Sequence, residues 1–123
     1  DITQTHRAWE SRRGIPEIPS PVYHDKRIYL VRAGGLISCV NSENGALIYR
    51  ERLNAPGQYA ASPVIADQHL YCVSQQGMIS VVQLGDSFAV TSKSNLKAIV
   101  NATPAIDKTT LYARTKKSLQ AFR

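Results

Sequence analysis

The sequence lacks any long hydrophobic run: no segment approaches the roughly 18 consecutive apolar residues of a transmembrane helix, so we expect no membrane insertion. Helical patterning is nearly absent too, because no window keeps apolar residues at i, i+3 and i+4 between capping residues. The first residues are polar and form no signal peptide, and the only methionine is Met78, so we expect a processed or excised piece of a longer protein. With 123 residues, 43% of them hydrophobic, the chain is long and apolar enough for one folded domain.

Cysteine and histidine are scarce, which argues against metal and nucleophile chemistry. The two cysteines, Cys39 and Cys72, lie in apolar runs without a second ligand at close spacing. They are predicted to be buried, reduced thiols, with a disulfide as the alternative. His6, His24 and His69 fall on or beside turns or an outer strand, where solvated side chains are expected, and no Gly-x-Ser-x-Gly motif is present. We therefore predict no catalytic residue, no cofactor-binding residue and no metal ligand in this chain.

Acidic residues are few: nine acidic side chains stand against fifteen Lys and Arg, which gives a net charge of +6. A basic balance of this kind invites a nucleic-acid interpretation. However, the basic residues are spread along the chain, and adjacent pairs occur only at Arg12-Arg13, Lys26-Arg27 and Lys116-Lys117. We expect a solvated basic surface and do not expect nucleic acid as a partner.

What the sequence does contain is an internal repeat. Ser20-Pro21-Val22 recurs 42 residues later as Ser62-Pro63-Val64, and the apolar runs and glycine turns that follow keep the same offset. A shorter copy begins at Thr103-Pro104-Ala105, at an offset of 41. Short β-branched and aromatic runs between polar or glycine turns are typical of strands. A period of about 40 residues built from such strands is typical of a β-propeller blade.

The predicted fold is therefore all-β: a partial propeller of about three blades, each a four-stranded antiparallel sheet, forming a single domain over residues 1–123. The predicted segments are an outer strand at 5–10, blades at 19–54 and 61–96, and an incomplete blade at 102–123. Trp9 of the outer strand matches Tyr49 of the first blade. Because complete rings have roughly four to eight blades, we expect strand 5–10 to pair with the final blade, within one molecule or in a homodimer, unless flanking blades complete the propeller.

Three tyrosines, Tyr29, Tyr71 and Tyr112, occupy the same position in the three repeats. Their strands are apolar at successive positions, which is typical of a sheet that is covered on both faces. We therefore predict that all three side chains pack between neighbouring blades.

The segment from Cys39 to Tyr49, CVNSENGALIY, resembles the pyrroloquinoline-quinone-like repeat, in which a strand ends in a polar turn that leads to a glycine and then to an aromatic residue. Together with the Ser-Pro-Val openings, this makes nearly the whole chain similar to the C-terminal blades of a quinoprotein-like β-propeller. The resemblance implies an exported bacterial protein, periplasmic or secreted. Quinone-dependent dehydrogenases of this fold also carry adjacent cysteines, calcium-binding carboxylates and a central Trp. Here the cysteines are 33 residues apart and Trp9 is on an outer strand, so we expect no cofactor.

In a propeller, the turns between second and third strands and the loops that join blades open on the same side. Here these segments carry long polar side chains that suit binding better than core packing, although a polar rim without function is the alternative. The predicted binding face consists of Arg12, Arg13, Arg32, Asn54, Gln58, Tyr59, Gln75, Gln76, Lys116 and Lys117. We therefore hypothesise a non-enzymatic module for protein or ligand binding. The alternative is an accessory part of a quinoprotein-type oxidoreductase whose catalytic residues lie outside this chain.

Overall fold

The computed structural model describes residues 6–123, which form eleven β-strands in three antiparallel sheets. The strands are β1 (Val22–His24), β2 (Arg27–Arg32), β3 (Leu36–Asn41), β4 (Leu47–Arg52), β5 (Val64–Ala66), β6 (His69–Val73), β7 (Met78–Gln83), β8 (Val90–Asn95), β9 (Ala105–Asp107), β10 (Thr110–Arg114) and β11 (Leu119–Phe122). The sheet orders are β1-β2-β3-β4, β5-β6-β7-β8 and β9-β10-β11. The prediction of an all-β chain of antiparallel blades is confirmed, with four strands in the first two sheets and three in the last. Residues 6–123 include no helix long and apolar enough to span a membrane.

The sequence repeat is reproduced in the hairpin turns. The first hairpin of the first sheet turns through Asp25 (φ 46°) and Lys26 (φ 64°), and that of the second sheet turns through Asp67 (φ 48°) and Gln68 (φ 62°). Two successive left-handed residues give a turn whose twist matches that of the flanking strands, and Asp enters this region more readily than most residues. The two hairpins are therefore built in the same way.

The predicted outer strand at 5–10 is wrong in its described part, because residues 6–10 form no strand. A strand needs a hydrogen-bonded neighbour, and no described strand lies beside this segment. Instead, Trp9 docks on the first sheet, where its indole N–H donates to Ser42 O at 2.9 Å. The ring lies over Gly45: a Cβ there would be 2.6 Å from Trp9 Cε3, so the contact requires glycine. Within one molecule, this segment therefore lies on the first sheet and not beside β11.

The residues after Trp9 continue across the same face of the first sheet. The guanidinium of Arg50 donates to Ser38 Oγ at 3.0 Å and to Arg13 O at 3.3 Å. Gly14 lies over both side chains, since a Cβ at Gly14 would be 2.9 Å from Arg50 and from Ser38. The segment thus shields Ser38, which is fully buried, and covers one face of the first sheet.

The sheets stack face to face, and the core lies between them. Adjacent residues of a strand point to opposite faces, so each sheet supplies one set of side chains to each neighbour. Tyr29 and Cys39 of the first sheet meet Leu70 and Cys72 of the second in the larger apolar cluster. A smaller cluster joins the second sheet to Leu111 of the third. Both cysteines are free and buried, as predicted.

The equivalent tyrosines differ in burial. Tyr29 is 0% exposed, and its hydroxyl accepts a hydrogen bond from Gly85 N at 3.0 Å, so the prediction is confirmed there. Tyr71 and Tyr112 are only half-buried. Tyr71 lines an open groove of about 650 Å³ between the second and third sheets. The β7–β8 turn covers Tyr29, since Gly85 in this turn donates to its hydroxyl, and within residues 6–123 the third sheet has three strands and no equivalent turn over Tyr71.

Candidate binding surface

The predicted binding face lies along one edge of the stacked sheets, which we call the connector rim. It consists of the turns 33–35, 74–77 and 115–118 and of the connectors 53–60 and 96–101 that join the sheets. The first connector is hydrogen-bonded to the turns on both of its sides. Gly34 N donates to Gly57 O at 2.7 Å, and Gln75 N donates to Gln58 O at 2.8 Å. This backbone network fixes the connector relative to two sheets.

The second connector is fixed in the same way. Val100 N donates to Gln75 O at 2.9 Å, and Lys116 N donates to Ile99 O at 3.2 Å. Gly77 has a φ of 94°, and a Cβ there would overlap Ala98 O. The close approach of turn and connector therefore requires glycine at this position.

Most of the predicted binding residues do project from this edge or from the segment beside it. Eight of the ten are exposed, and Gln75 is half-buried, with its amide donating to Asn101 Oδ1 at 2.7 Å. The exposed residues are Arg12, Arg13, Arg32, Asn54, Gln58, Gln76, Lys116 and Lys117. Arg12 pairs with Glu10 at 3.0 Å on the N-terminal segment.

Tyr59 is the exception. It is 3% exposed, and its hydroxyl donates to Ala55 O at 2.7 Å. The prediction that it belongs to the binding face is wrong, because its ring fills the apolar cluster between the first and second sheets. A tyrosine in a connector can point inward or outward, and the residue types around it do not decide which.

Lys97 and Ile99, which no sequence motif singles out, lie beside Lys116 and Lys117. Lys97, Ile99, Lys116 and Lys117 line a cleft of about 410 Å³, here called the lysine cleft, together with Ala98, Thr115, Ser118 and Gln120. Lys97 is exposed, and so is Ile99, at 45% of its surface. In the structure Lys97 corresponds to Asn54, since both have left-handed backbone, with φ of 54° and 56°. The 42-residue offset of the repeat pairs Lys97 with Ala55 instead, so the repeat provides no signal for it.

The opposite edge of the stack carries an ion pair between residues that are 59 positions apart in the sequence. Arg27 Nε donates to Asp86 Oδ1 at 2.7 Å and so links the first sheet to the β7–β8 turn of the second. This hydrogen bond lowers the pKa of the Asp86 carboxyl and raises that of Arg27. At the position of Arg27, the second sheet has His69, which lines the open groove. The ion pair between Arg27 and Asp86 therefore joins the first and second sheets and, within residues 6–123, has no equivalent between the second and third.

The two thiols are unsuited to nucleophilic chemistry. Burial raises the pKa of Cys39 to about 11 and that of Cys72 to about 12. The thiolate is the reactive form, so both side chains are protonated and inert near neutral pH. They act as small apolar groups in the core.

The described residues also do not fit a quinone and calcium site of the kind found in quinoprotein dehydrogenases. Both cysteines are enclosed in the apolar cluster between two sheets, and Trp9 is engaged with Ser42 and Gly45. Within residues 6–123, no three His, Cys, Asp or Glu side chains are grouped so that they could hold a metal ion. No step of chemistry can therefore be derived through such a cofactor from these residues.

Comparison with known proteins gives two kinds of match. No curated protein matches the chain, but the model of a family described as outer membrane protein assembly factor BamB matches residues 2–123. Among solved structures, BamB from Moraxella catarrhalis is similar over 83% of this chain and 32% of its own, at 17% identity and a TM-score of 0.67. The quinohemoprotein alcohol dehydrogenase ADHIIG from Pseudomonas putida HK5 is similar over 94% of this chain and 20% of its own, at 9% identity and a TM-score of 0.71.

The chain therefore spans about a third of the BamB structure and a fifth of the dehydrogenase structure. At these identities the structural likeness shows the fold alone, and it confirms the prediction of a partial β-propeller. The family match covers almost every residue, from Ile2 to Arg123. The chain belongs to the BamB family of pyrroloquinoline-quinone-like β-propeller repeat proteins.

Proposed function

We propose that this chain is a non-enzymatic protein-binding section of a BamB-like propeller and that the connector rim is its binding surface. The observation that carries the proposal is the backbone network of this edge, in which each connector is hydrogen-bonded to the turns beside it. A surface that is ordered before a partner arrives loses little conformational entropy on binding. Exposed Arg, Gln and Lys side chains project from this ordered backbone.

The family match supports the same function. The family is described as an outer membrane protein assembly factor, and we propose that the partner is a protein of such an assembly, outside the cytoplasm. The inert thiols and the lack of a grouped set of ligands within residues 6–123 also favour binding over catalysis. An accessory role in a quinoprotein-type oxidoreductase gains support only from the shared fold, which carries no chemistry by itself.

Site-specific photo-crosslinking in the native bacterium tests this proposal. A photoreactive amino acid is placed at Gln76, on the connector rim, and in a matched variant at Gln83, an exposed residue at the far end of β7. We expect adducts from the Gln76 position to contain a protein of outer membrane assembly, as identified by mass spectrometry, and few adducts from the Gln83 position. Equal adducts from both positions, or adducts with cytoplasmic proteins only, would refute the proposal.

A further inference from the structure

The lysine cleft differs in charge from the corresponding place one repeat earlier. The correspondence is fixed by hydrogen bonds: Leu53 N donates to Gly35 O and Leu96 N donates to Gly77 O, so the two connectors start alike. Asn54 and Lys97, the next residues, share a left-handed backbone. Lys97 therefore stands where the first junction has Asn54.

The turns correspond in the same way. Gln75 N donates to Gln58 O in the first junction, and Lys116 N donates to Ile99 O in the second. Lys116 thus stands where the first junction has Gln75, and Lys117 stands where it has Gln76. Three neutral polar side chains at one junction are replaced by three lysines at the next, at positions matched by the same backbone hydrogen bonds.

The lysine cleft carries positive charge without acidic residues in its lining. None of the residues that line the lysine cleft is acidic. In the part of the chain that the structure describes, Lys97, Lys116 and Lys117 take part in none of the ion pairs, which involve other residues. Like charges held together without counterions raise the local positive potential, which attracts an acidic partner.

The lining of the cleft decides which polyanion fits. Ala98 and the half-exposed Ile99 supply the apolar part of the lining, here called the floor, and the lining contains no aromatic side chain. Single-stranded nucleic acid is held by aromatic stacking as well as by charge, whereas an acidic peptide with an apolar side chain would use both the lysines and the floor. A volume of about 410 Å³ is sufficient for one or two peptide side chains.

We infer that the lysine cleft binds an extended acidic segment of a partner protein, with an apolar side chain of that segment seated on Ala98 and Ile99. This inference rests on the proposed function, because it assigns partner chemistry to one part of the connector rim. It also explains why the charge is concentrated at one junction instead of being repeated at both.

The test gives the second junction the side chains of the first at the three matched positions. The variant Lys97→Asn, Lys116→Gln, Lys117→Gln restores the residue types that the same backbone carries one repeat earlier, and Asn tolerates the left-handed φ of position 97. The matched control Arg7→Gln, Lys26→Gln, Lys108→Asn also removes three positive charges, and Lys26 and Lys108 share the left-handed backbone of Lys97. Arg7 and Lys26 form only exposed ion pairs, so their loss has little effect on folding.

The probe is a fluorescein-labelled dodecapeptide of alternating Glu and Leu, measured by fluorescence anisotropy with the full chain. A second peptide has Gln in place of Glu. At about 0.02 M salt, we expect the cleft variant to bind the acidic peptide about tenfold more weakly than the control variant does, and this difference should shrink at about 0.5 M salt. The neutral peptide should bind weakly to the unmodified chain, to the cleft variant and to the control variant.

Two results would overturn the inference. One is equal loss of affinity in the cleft and control variants, which would show attraction by net charge alone. The other is tighter binding of a labelled oligothymidylate than of the acidic peptide, with the same dependence on the lysines, which would make the cleft a nucleic-acid site. If either occurs while crosslinking from Gln76 still captures an assembly protein, the proposed function stands and only the lysine cleft is wrongly assigned.

Discussion

Replacing the equivalent tyrosines Tyr29 and Tyr71 by alanine should have unequal effects on the free energy of unfolding. Tyr29 is fully buried between the first and second sheets, so its removal leaves a cavity, and large aromatic deletions of this kind cost about 3–5 kcal/mol. The substitution also leaves Gly85 N without the hydroxyl that accepts its hydrogen bond. We therefore expect a loss near the upper end, about 5 kcal/mol, for Tyr29→Ala.

Tyr71 occupies the same strand position but lines the open groove, and its side chain is only half-buried. Water can enter where the ring is removed, so no closed cavity forms. We expect Tyr71→Ala to cost about 1–2 kcal/mol, since part of the Tyr71 side chain already faces the open groove. The expected difference between the two variants is thus about 3 kcal/mol.

Equilibrium unfolding in urea, followed by far-ultraviolet circular dichroism, measures both values. Tyr29→Phe serves as a control that removes only the hydroxyl, and its expected loss is about 1 kcal/mol. Equal losses for Tyr29→Ala and Tyr71→Ala, beyond the error of extrapolation, would refute the reasoning, because they would mean that Tyr71 is covered as completely as Tyr29.

Two further predictions concern the N-terminal segment and the thiols. Gly45→Ala and Trp9→Ala should each lower the free energy of unfolding. In a double-mutant cycle, Gly45→Ala should cost less when Trp9 is already alanine, because the clash between the new Cβ and the indole is then absent. Additive losses would contradict this contact. Burial raises the pKa of Cys39 to about 11 and that of Cys72 to about 12, above the value of about 8.5 for a thiol in the unfolded chain. The contribution of the thiols to the free energy of unfolding is therefore fully present below about pH 8.5. It is lost as the pH rises from there towards the folded-state pKa, by up to about 1.4 kcal/mol per pH unit for each thiol. Cys72→Val should reduce that slope in denaturant titrations between about pH 8.5 and 11, and an unchanged slope would show that the Cys72 thiol does not titrate as expected.

Much of the fold could be predicted from the sequence because the repeat carries its own turn chemistry. Asp25 and Asp67 begin the same two-residue turns, and the apolar runs on either side set the strand register. The structure of residues 6–10 could not be predicted in this way. A strand forms only where a second segment is available to hydrogen-bond with it. The resemblance of Trp9 to Tyr49 concerns one segment and says nothing about such a neighbour. What the resemblance does predict is the docking of an aromatic ring, which Trp9 achieves on Gly45 and Tyr49 achieves on Phe88, with ring centroids 5.7 Å apart.

The candidate surface was predicted less well, because connectors are not repeated as faithfully as strands. The first connector has five steps from Leu53 to Gln58, whereas the second has three from Leu96 to Ile99, although both pairs make the same backbone hydrogen bonds. A fixed offset therefore fails inside the connectors, and Tyr59 was placed outside although its ring is in the core. Once the hydrogen bonds align the connectors, the same repeat becomes informative again. It shows that the same backbone hydrogen bonds and the same left-handed position recur at the two junctions, whereas the charge of the side chains at the matched positions does not. This difference in charge calls for a cause other than folding. The lysine cleft supplies that cause if a partner recognises one junction and not the other.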